Sequence, residues 1–246
     1  MVDQRTIQLA KLVVDYALKV KKGENVILSG GIEAEPFLLS LYKEVVLRGA
    51  HPDFRINIRE TAPFFFKHAQ PHQIEKFPDS FNYQVKNAQK YVGILTDTNT
   101  RSLANSDPKK MTARQKVIKP ISTYICNGKP YIQRSSVAYP CQALAQDAEM
   151  SLTDYENFVY GACLQDWDKI GKEMNEILEI FKQGKSVHLI GEGVDLKFQI
   201  KGSLAKSDLD GENIPMGEVF MAPVRESLNG WIKFDYPAIE ASKEVT

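Results

Sequence analysis

The chain has 246 residues, 43 % of them hydrophobic and 25 % charged, as in a globular protein large enough for one large or two small domains. Its 31 basic and 31 acidic residues cancel, which implies no cationic face for nucleic acid, and no stretch reaches the roughly eighteen apolar residues of a membrane span. Three cysteines, Cys126, Cys141 and Cys163, lie too far apart for a CxxC knuckle or a disulfide framework. They fit a reducing, cytoplasmic setting, and MVDQRTIQLAKLVV lacks the apolar block and small-residue cleavage site of a secretory signal.

In chain order, Ile7, Ala10, Val13, Val14 and Ala17 recur at three- and four-residue steps and predict an amphipathic helix. Lys19, Lys21 and Lys22 suit its last turn and Gly23 its stop. NVILSG reads as a short buried strand. Pro36 opens a second helix with Phe37, Leu38, Leu41, Val45 and Val46 on its face, and Gly49 ends it. DFRINIRE alternates Phe54, Ile56 and Ile58 as a half-buried strand. A mixed helical region from Pro63 to Phe77, stopped by Pro78, precedes the strand KYVGILTDTN, whose polar end is Asp97 and Asn99. This alternation predicts an α/β fold, a mainly parallel sheet with flanking helices and ligand loops at the carboxyl ends of its strands.

SLTDYENFVYGACLQDWDKIGKEMNEILEIFKQGK predicts two helices, the first capped by Ser151 or Thr153 and the second closed by Gly184. The pattern then changes. SVHLIGEGVDLKFQIKGS alternates on both sides of GEG as a hairpin would, and EVFMAP and LNGWIKFDYPA read as further strands. The expected organisation is an N-terminal α/β domain over residues 1–185 and the first strands of a second, mostly β domain over residues 186–246.

The candidate chemistry is sparse. SGGIEAEP follows the first strand but has neither GxGxxG nor Gly-Lys-Ser/Thr, so a tight strand-to-helix turn competes with a phosphate cradle. His51, His68, His72 and His188 form no HExxH, and Pro71 interrupts the face that His68 and His72 could share. His188 reads as a pleat residue, and Cys163 as a small buried hydrophobe with no basic partner in view. In GENIPMGEVFMAP, Asn213, Pro215 and Gly217 predict a turn before Glu218, an acid at the start of an apolar strand. A buried carboxylate must either stay protonated or have a cation beside it, so Glu218 reads as a neutral acid or as one paired to a metal ion or to an Arg or Lys.

The stretch DGENIPMGEVFMAPVRESLNGWIKFDYPA resembles the block around the first metal ligand of the aminopeptidase T-like metalloaminopeptidases, of the form D-G-x-N-x-P-x-G-E-V-F-x-A-P followed by N-G-x-I/V-x-F/Y. VKKGENVIL, RGAHPDFR, LANSDPKK, YPCQALAQDAEMSLTDYENFVYGAC and VDLKFQIKG resemble further family segments in the same order, so the likeness spans essentially the whole chain. It implies an enzyme that releases amino-terminal residues from peptide substrates with two divalent ions, zinc, cobalt or manganese, which polarise the carbonyl and activate water. It also implies a homodimer acting without nucleic acid or membrane. By position in the motif, Glu218 corresponds to a metal-binding glutamate. The family's other glutamates, its histidines, its tyrosine and its aspartate follow the segment similar to FDYPAIEASKEVT, and none of the four histidines here matches them. The resemblance therefore implies an incomplete catalytic domain and a chain inactive by itself. The rival expectations are a non-catalytic oligomerisation or binding module, and a nucleotide-binding α/β protein using SGGIEAEP.

Overall fold

The computed structural model describes residues 3–127 and 132–235. The chain divides into two compact units, Met1–Gln165 with Asp210–Met216, and Asp166–Leu209 with Gly217–Thr246.

The first unit is built on strands β1 (Asn25–Gly31), β2 (His51–Asn57), β3 (Lys90–Leu95), β4 (Gln133–Ala138) and β8 (Asn213–Ile214). Their order is β2-β1-β3-β4-β8 and every pairing is parallel. Side chains alternate across such a sheet, so β1 feeds two cores. Val26 and Leu28 join a cluster with Leu9, Val13 and Val14 from α1 (Gln4–Lys11) and its π-helical extension Leu12–Ala17, with Phe37 and Leu41 from α2 (Glu35–Leu47), and with Val159 and Cys163 from α8 (Leu152–Cys163). Ile27 points the other way, to Val85 of α5 (Asp79–Asn87) and Ile121 of α6 (Pro108–Cys126). Phe37 is fully buried and its ring stacks on Tyr139 with centroids 5.2 Å apart. The remaining helices of this unit are α3 (Thr61–His68), α4 (Pro71–Glu75) and α7 (Gln142–Asp147).

The α/β class, the parallel sheet and the flanking helices agree with the expectation. Several particulars differ. The first helix ends at Ala17, before the lysines, because Lys19 and Gly23 both adopt left-handed backbone, with φ of 48° and 81°. β2 alternates as expected but is not half-buried: it is the edge of the sheet, and Phe54 and Ile56 keep 47 % and 37 % of their surface exposed. Pattern reading passed over α6 and β4. Pro120 lies inside α6, whereas its start is well marked by Pro108 in the first turn and by Asp107, whose side chain accepts from Lys109 N–H at 2.8 Å.

The turn expected from Asn213 to Gly217 is instead β8 and its continuation, returned to the first sheet. Ser136 N–H donates to the Glu212 carbonyl at 2.7 Å, and Arg134 pairs with Glu212 at 2.9 Å. Ile214 and Met216 are buried. Gly211, at φ +77°, lies so close to Ala17 that a Cβ would overlap it.

In the second unit, β5 (Ser186–Gly191) and β6 (Val194–Gln199) form the expected hairpin, turning at Gly193 with φ +83°, and β10 (Asn229–Ile232) adds antiparallel to β6. A second, two-stranded ladder joins β7 (Lys206–Ser207) to β9 (Val219–Phe220). Helix α9 (Trp167–Gln183) belongs to this unit, closed by Gly184 as the sequence suggests. The division therefore falls one helix before the expected residue 185, and Asp210–Met216 crosses back to the first unit. The part of LNGWIKFDYPA after Asp235 lies outside the described residues.

Two substitutions test this packing. Phe37→Ala is expected to cost about 4 kcal/mol, the range for emptying a buried aromatic site, read as a lower denaturant midpoint. Gly211→Val is expected to destabilise by about 3 kcal/mol, through both its left-handed backbone and the overlap with Ala17, read by thermal unfolding.

Candidate functional site

Glu218 is set by the short ladder of the second unit. Asp208 N–H donates to the Glu218 carbonyl at 2.8 Å, and Gly217 N–H donates to the Asp208 carbonyl at 3.1 Å. These bonds carry the β7–β9 pairing one step past Ser207 and Val219 and fix the backbone on both sides of the acid. Gly217 has φ +117°, and a Cβ there would stand 3.4 Å from the buried Trp167 ring. That is ordinary contact, so a glycine before the acid is needed for its backbone angle rather than for space.

The Glu218 side chain is exposed, on the same face as exposed Phe220, with half-buried Val219 between them. The burial expected from an acid opening an apolar strand is therefore not found. No ion pair to Arg or Lys involves Glu218 among the described residues. Exposure removes the cost of ionisation, so the carboxylate can stand charged in water without a counter-ion.

The other candidates are scattered. His51 lies on β2, His68 ends α3, and His72 lies in α4, which Pro71 starts afresh, so the helix break expected between the last two is present. His188 on β5 faces Asp195 on β6, with Nε2 to Oδ1 at 2.7 Å, a cross-strand pair that the sequence reading did not foresee. Its signal was available: GEG closes a hairpin that sets His188 opposite Lys197, so Asp195, two residues before Lys197, is its diagonal neighbour on the same face. Cys163 is fully buried, and burial pushes its thiol up to about 12, so it is no thiolate nucleophile at neutral pH.

At the carboxyl ends of β1, β2 and β3 a cavity of about 360 Å³ is lined by Gly31, Glu33, Asn57, Arg59, Thr96 and Asp97. SGGIEAEP supplies Gly31 and Glu33, and Glu33 Oε1 lies 3.1 Å from Arg59 Nε. A Cβ on Gly31 would meet the Glu33 carboxylate at 2.6 Å. A carboxylate held over the turn repels a phosphate, so the segment behaves as a tight strand-to-helix turn.

Among the described residues no group of three or more His, Cys, Asp and Glu side chains is placed to hold a metal ion. Divalent sites in proteins typically draw on about three side chains, so the described residues do not make up a metal centre on their own. No helix among them is long and apolar enough to cross a membrane.

Comparison with known proteins adds to this. No curated protein matches the chain. Wild-type AmpT from Thermus thermophilus superposes with a TM-score of 0.71 at 19 % identity, covering 92 % of this chain and 63 % of AmpT. 2,5-Dihydroxypyridine dioxygenase from Pseudomonas putida KT2440 superposes with a TM-score of 0.51 at 12 % identity, covering 92 % of this chain and 57 % of the other. At these identities the likeness is one of fold, and the chain spans under two thirds of either structure's length. The family profile for thermophilic metalloprotease (M29) matches residues 2–246. The chain thus belongs to the M29 thermophilic metalloproteases, a family whose description implies use of a divalent metal.

Proposed function

We propose that this chain supplies the α/β unit and the first catalytic-domain strands of a metal-dependent aminopeptidase, a cytoplasmic homodimer that releases amino-terminal residues from peptides. The observation that carries the reading is the family match over residues 2–246, which takes in the block centred on Glu218. The local structure supports it. Glu218 stands exposed, with no cationic side chain paired to it among the described residues, immediately after a glycine that its backbone requires. An exposed carboxylate at a strand start is open to approach by a metal ion, as a ligand position requires.

Glu218 is proposed as one ligand of a site whose other ligands lie outside the described residues. The second unit is consistent with strands awaiting cover: Leu189, Ile190, Trp231 and Ile232 are all exposed on its three-stranded sheet. Zinc, cobalt and manganese all accept carboxylate ligands.

Two measurements test the reading. Residues 1–246, purified and supplied with cobalt or zinc, are expected to release no chromophore from aminoacyl anilides. Turnover by that polypeptide would show that the ligand set lies within it. In an intact family member, replacing the glutamate aligned with Glu218 by Gln is expected to lower kcat/KM at least ~100-fold, since even groups that only support a ligand are worth 10- to 100-fold. Bound metal per subunit should fall while the unfolding temperature stays near that of the parent. Unchanged metal content would remove Glu218 from the site.

A further inference from the structure

The first unit ends in a strand with an open edge. Among the described strands β2 pairs with β1 alone, while the opposite edge is the two-residue β8. His51 N–H donates to the Glu24 carbonyl at 2.8 Å. By the alternation of a parallel ladder, His51, Asp53, Arg55 and Asn57 turn their backbone groups toward β1, and Pro52, Phe54 and Ile56 turn theirs outward. Pro52 therefore sits where its missing N–H costs the ladder nothing. Among the described residues, no backbone hydrogen bond is made on the outward side at Phe54 or Ile56.

The side chains beside this edge fit a particular occupant. Phe54 stacks on exposed Tyr42 of α2 with centroids 5.3 Å apart, and Leu39, Val46 and Ile56 extend the exposed apolar surface around them. On the other face Arg55 lies over the Phe81 ring, 3.6 Å from its centre, and desolvation pushes its guanidinium below the usual range. No ion pair involves Asp53 or Arg55 among the described residues. A partly desolvated cation and an exposed anion thus stand two residues apart along one open strand.

We propose that β2 pairs antiparallel with β2 of a second copy of this chain, about a two-fold axis at Phe54, so that two five-stranded sheets become one. Backbone parity and charge select this register together. Only outward residues can be matched with outward residues, so the axis must pass through a residue rather than between two. An axis at Arg55 sets Arg55 against itself, and an axis at Asp53 sets Asp53 against itself. An axis at Phe54 sets Asp53 of each copy against Arg55 of the other, in the non-hydrogen-bonded pairs where cross-strand side chains come closest. Phe54 then exchanges both backbone bonds with Phe54 of the second copy, and each Ile56 N–H reaches the Pro52 carbonyl opposite. Such an interface is self-complementary, as two-fold symmetry requires. It also removes the hazard of an exposed apolar edge.

This assignment rests on the homodimer reading above but not on the peptidase reading. Sedimentation equilibrium of the protein and its variants tests it, with thermal unfolding of each variant as the folding control. The parent should be a dimer. Asp53→Arg places like charges across the axis and should raise the dimer dissociation constant at least ~100-fold. The double exchange Asp53→Arg with Arg55→Asp restores opposite charges and should recover the dimer. Independently, Phe54→Cys in a Cys126→Ser background should form a disulfide-linked dimer on oxidation, because the Cα separation of about 5.5 Å in a hydrogen-bonded pair is within disulfide range. A monomeric parent overturns both the dimer and its surface. A dimer that ignores Asp53→Arg, or that fails to cross-link through Phe54→Cys, overturns the surface alone and places the contact elsewhere, or a further segment of the protein over β2.

Discussion

Much of this molecule depends on two residues, Asn213 and Ile214, lying parallel to Ser136 and Val137. A ladder that short contributes little through hydrogen bonding alone, about 1 kcal/mol per bond net of water. Its hold comes from what surrounds it. Ile214 is buried in the same cluster as Leu28, Val92 and Val137, and Gly211 lies against Ala17 with no space for a side chain. Arg134 reaches Glu212, and Gln133 donates to the Ala17 carbonyl at 2.8 Å. The chain leaves the first unit after Gln165 and returns to it at Asp210. It departs again at Gly217, one residue before the acid that the family resemblance singles out. The motif GENIPMGE therefore has two tasks. Its first part completes a sheet, and its last two residues open a strand of the second unit.

The same sheet explains why its two edges differ. β1 runs between β2 and β3 and is buried from Val26 to Gly31, feeding apolar side chains to both faces. The helices that follow β1 and β3 cover those faces but not the sides. At the β8 side the edge is too short to recruit another strand. At the β2 side seven residues run along the edge with Pro52 the only residue unable to donate. Charges and proline usually guard such an edge against pairing. Here the two charges are opposite in sign and spaced by two, so under the proposed pairing they would disfavour a misregistered copy and favour a correctly placed one.

The sequence disclosed elements whose burial is one-sided or complete. β1, α2, the Ser151 cap of α8 and the hairpin around GEG all carry their own pattern, and the Ser151 hydroxyl does accept from Asp154 N–H, at 3.1 Å. It concealed elements that depend on distant partners. β4 is QRSSVA, polar in composition, yet Ser135 and Val137 are fully buried because β3 and β8 flank it. β8 has no local signal, since two residues become a strand only when β4 accepts them. The exposure of Phe54 and Ile56 was equally hidden, because alternation shows which residues share a face and not whether anything covers it. The place of α9 was hidden for a related reason: it has the amphipathic pattern of the helices before it, but packs with β7 and β9.

The same distinction applies to Glu218. Its residue type and setting were legible, but only resemblance gave it a chemical role, since an acid before a strand is as readily explained by an ion pair. The structure describes the surroundings in which either partner would have to act. Several other acids in this fold have found cations: Glu24 with Lys90 at 3.6 Å, Glu33 with Arg59 at 3.1 Å, Glu212 with Arg134 at 2.9 Å. Each of these three is at least partly withdrawn from water, where an unpartnered charge is costly. Glu218 is in water, held by its backbone rather than by its carboxylate. A side chain so placed adds almost nothing to the stability of the unit that carries it. Its carboxylate is thus free of any folding task, which is the setting that the proposed ligand role would require.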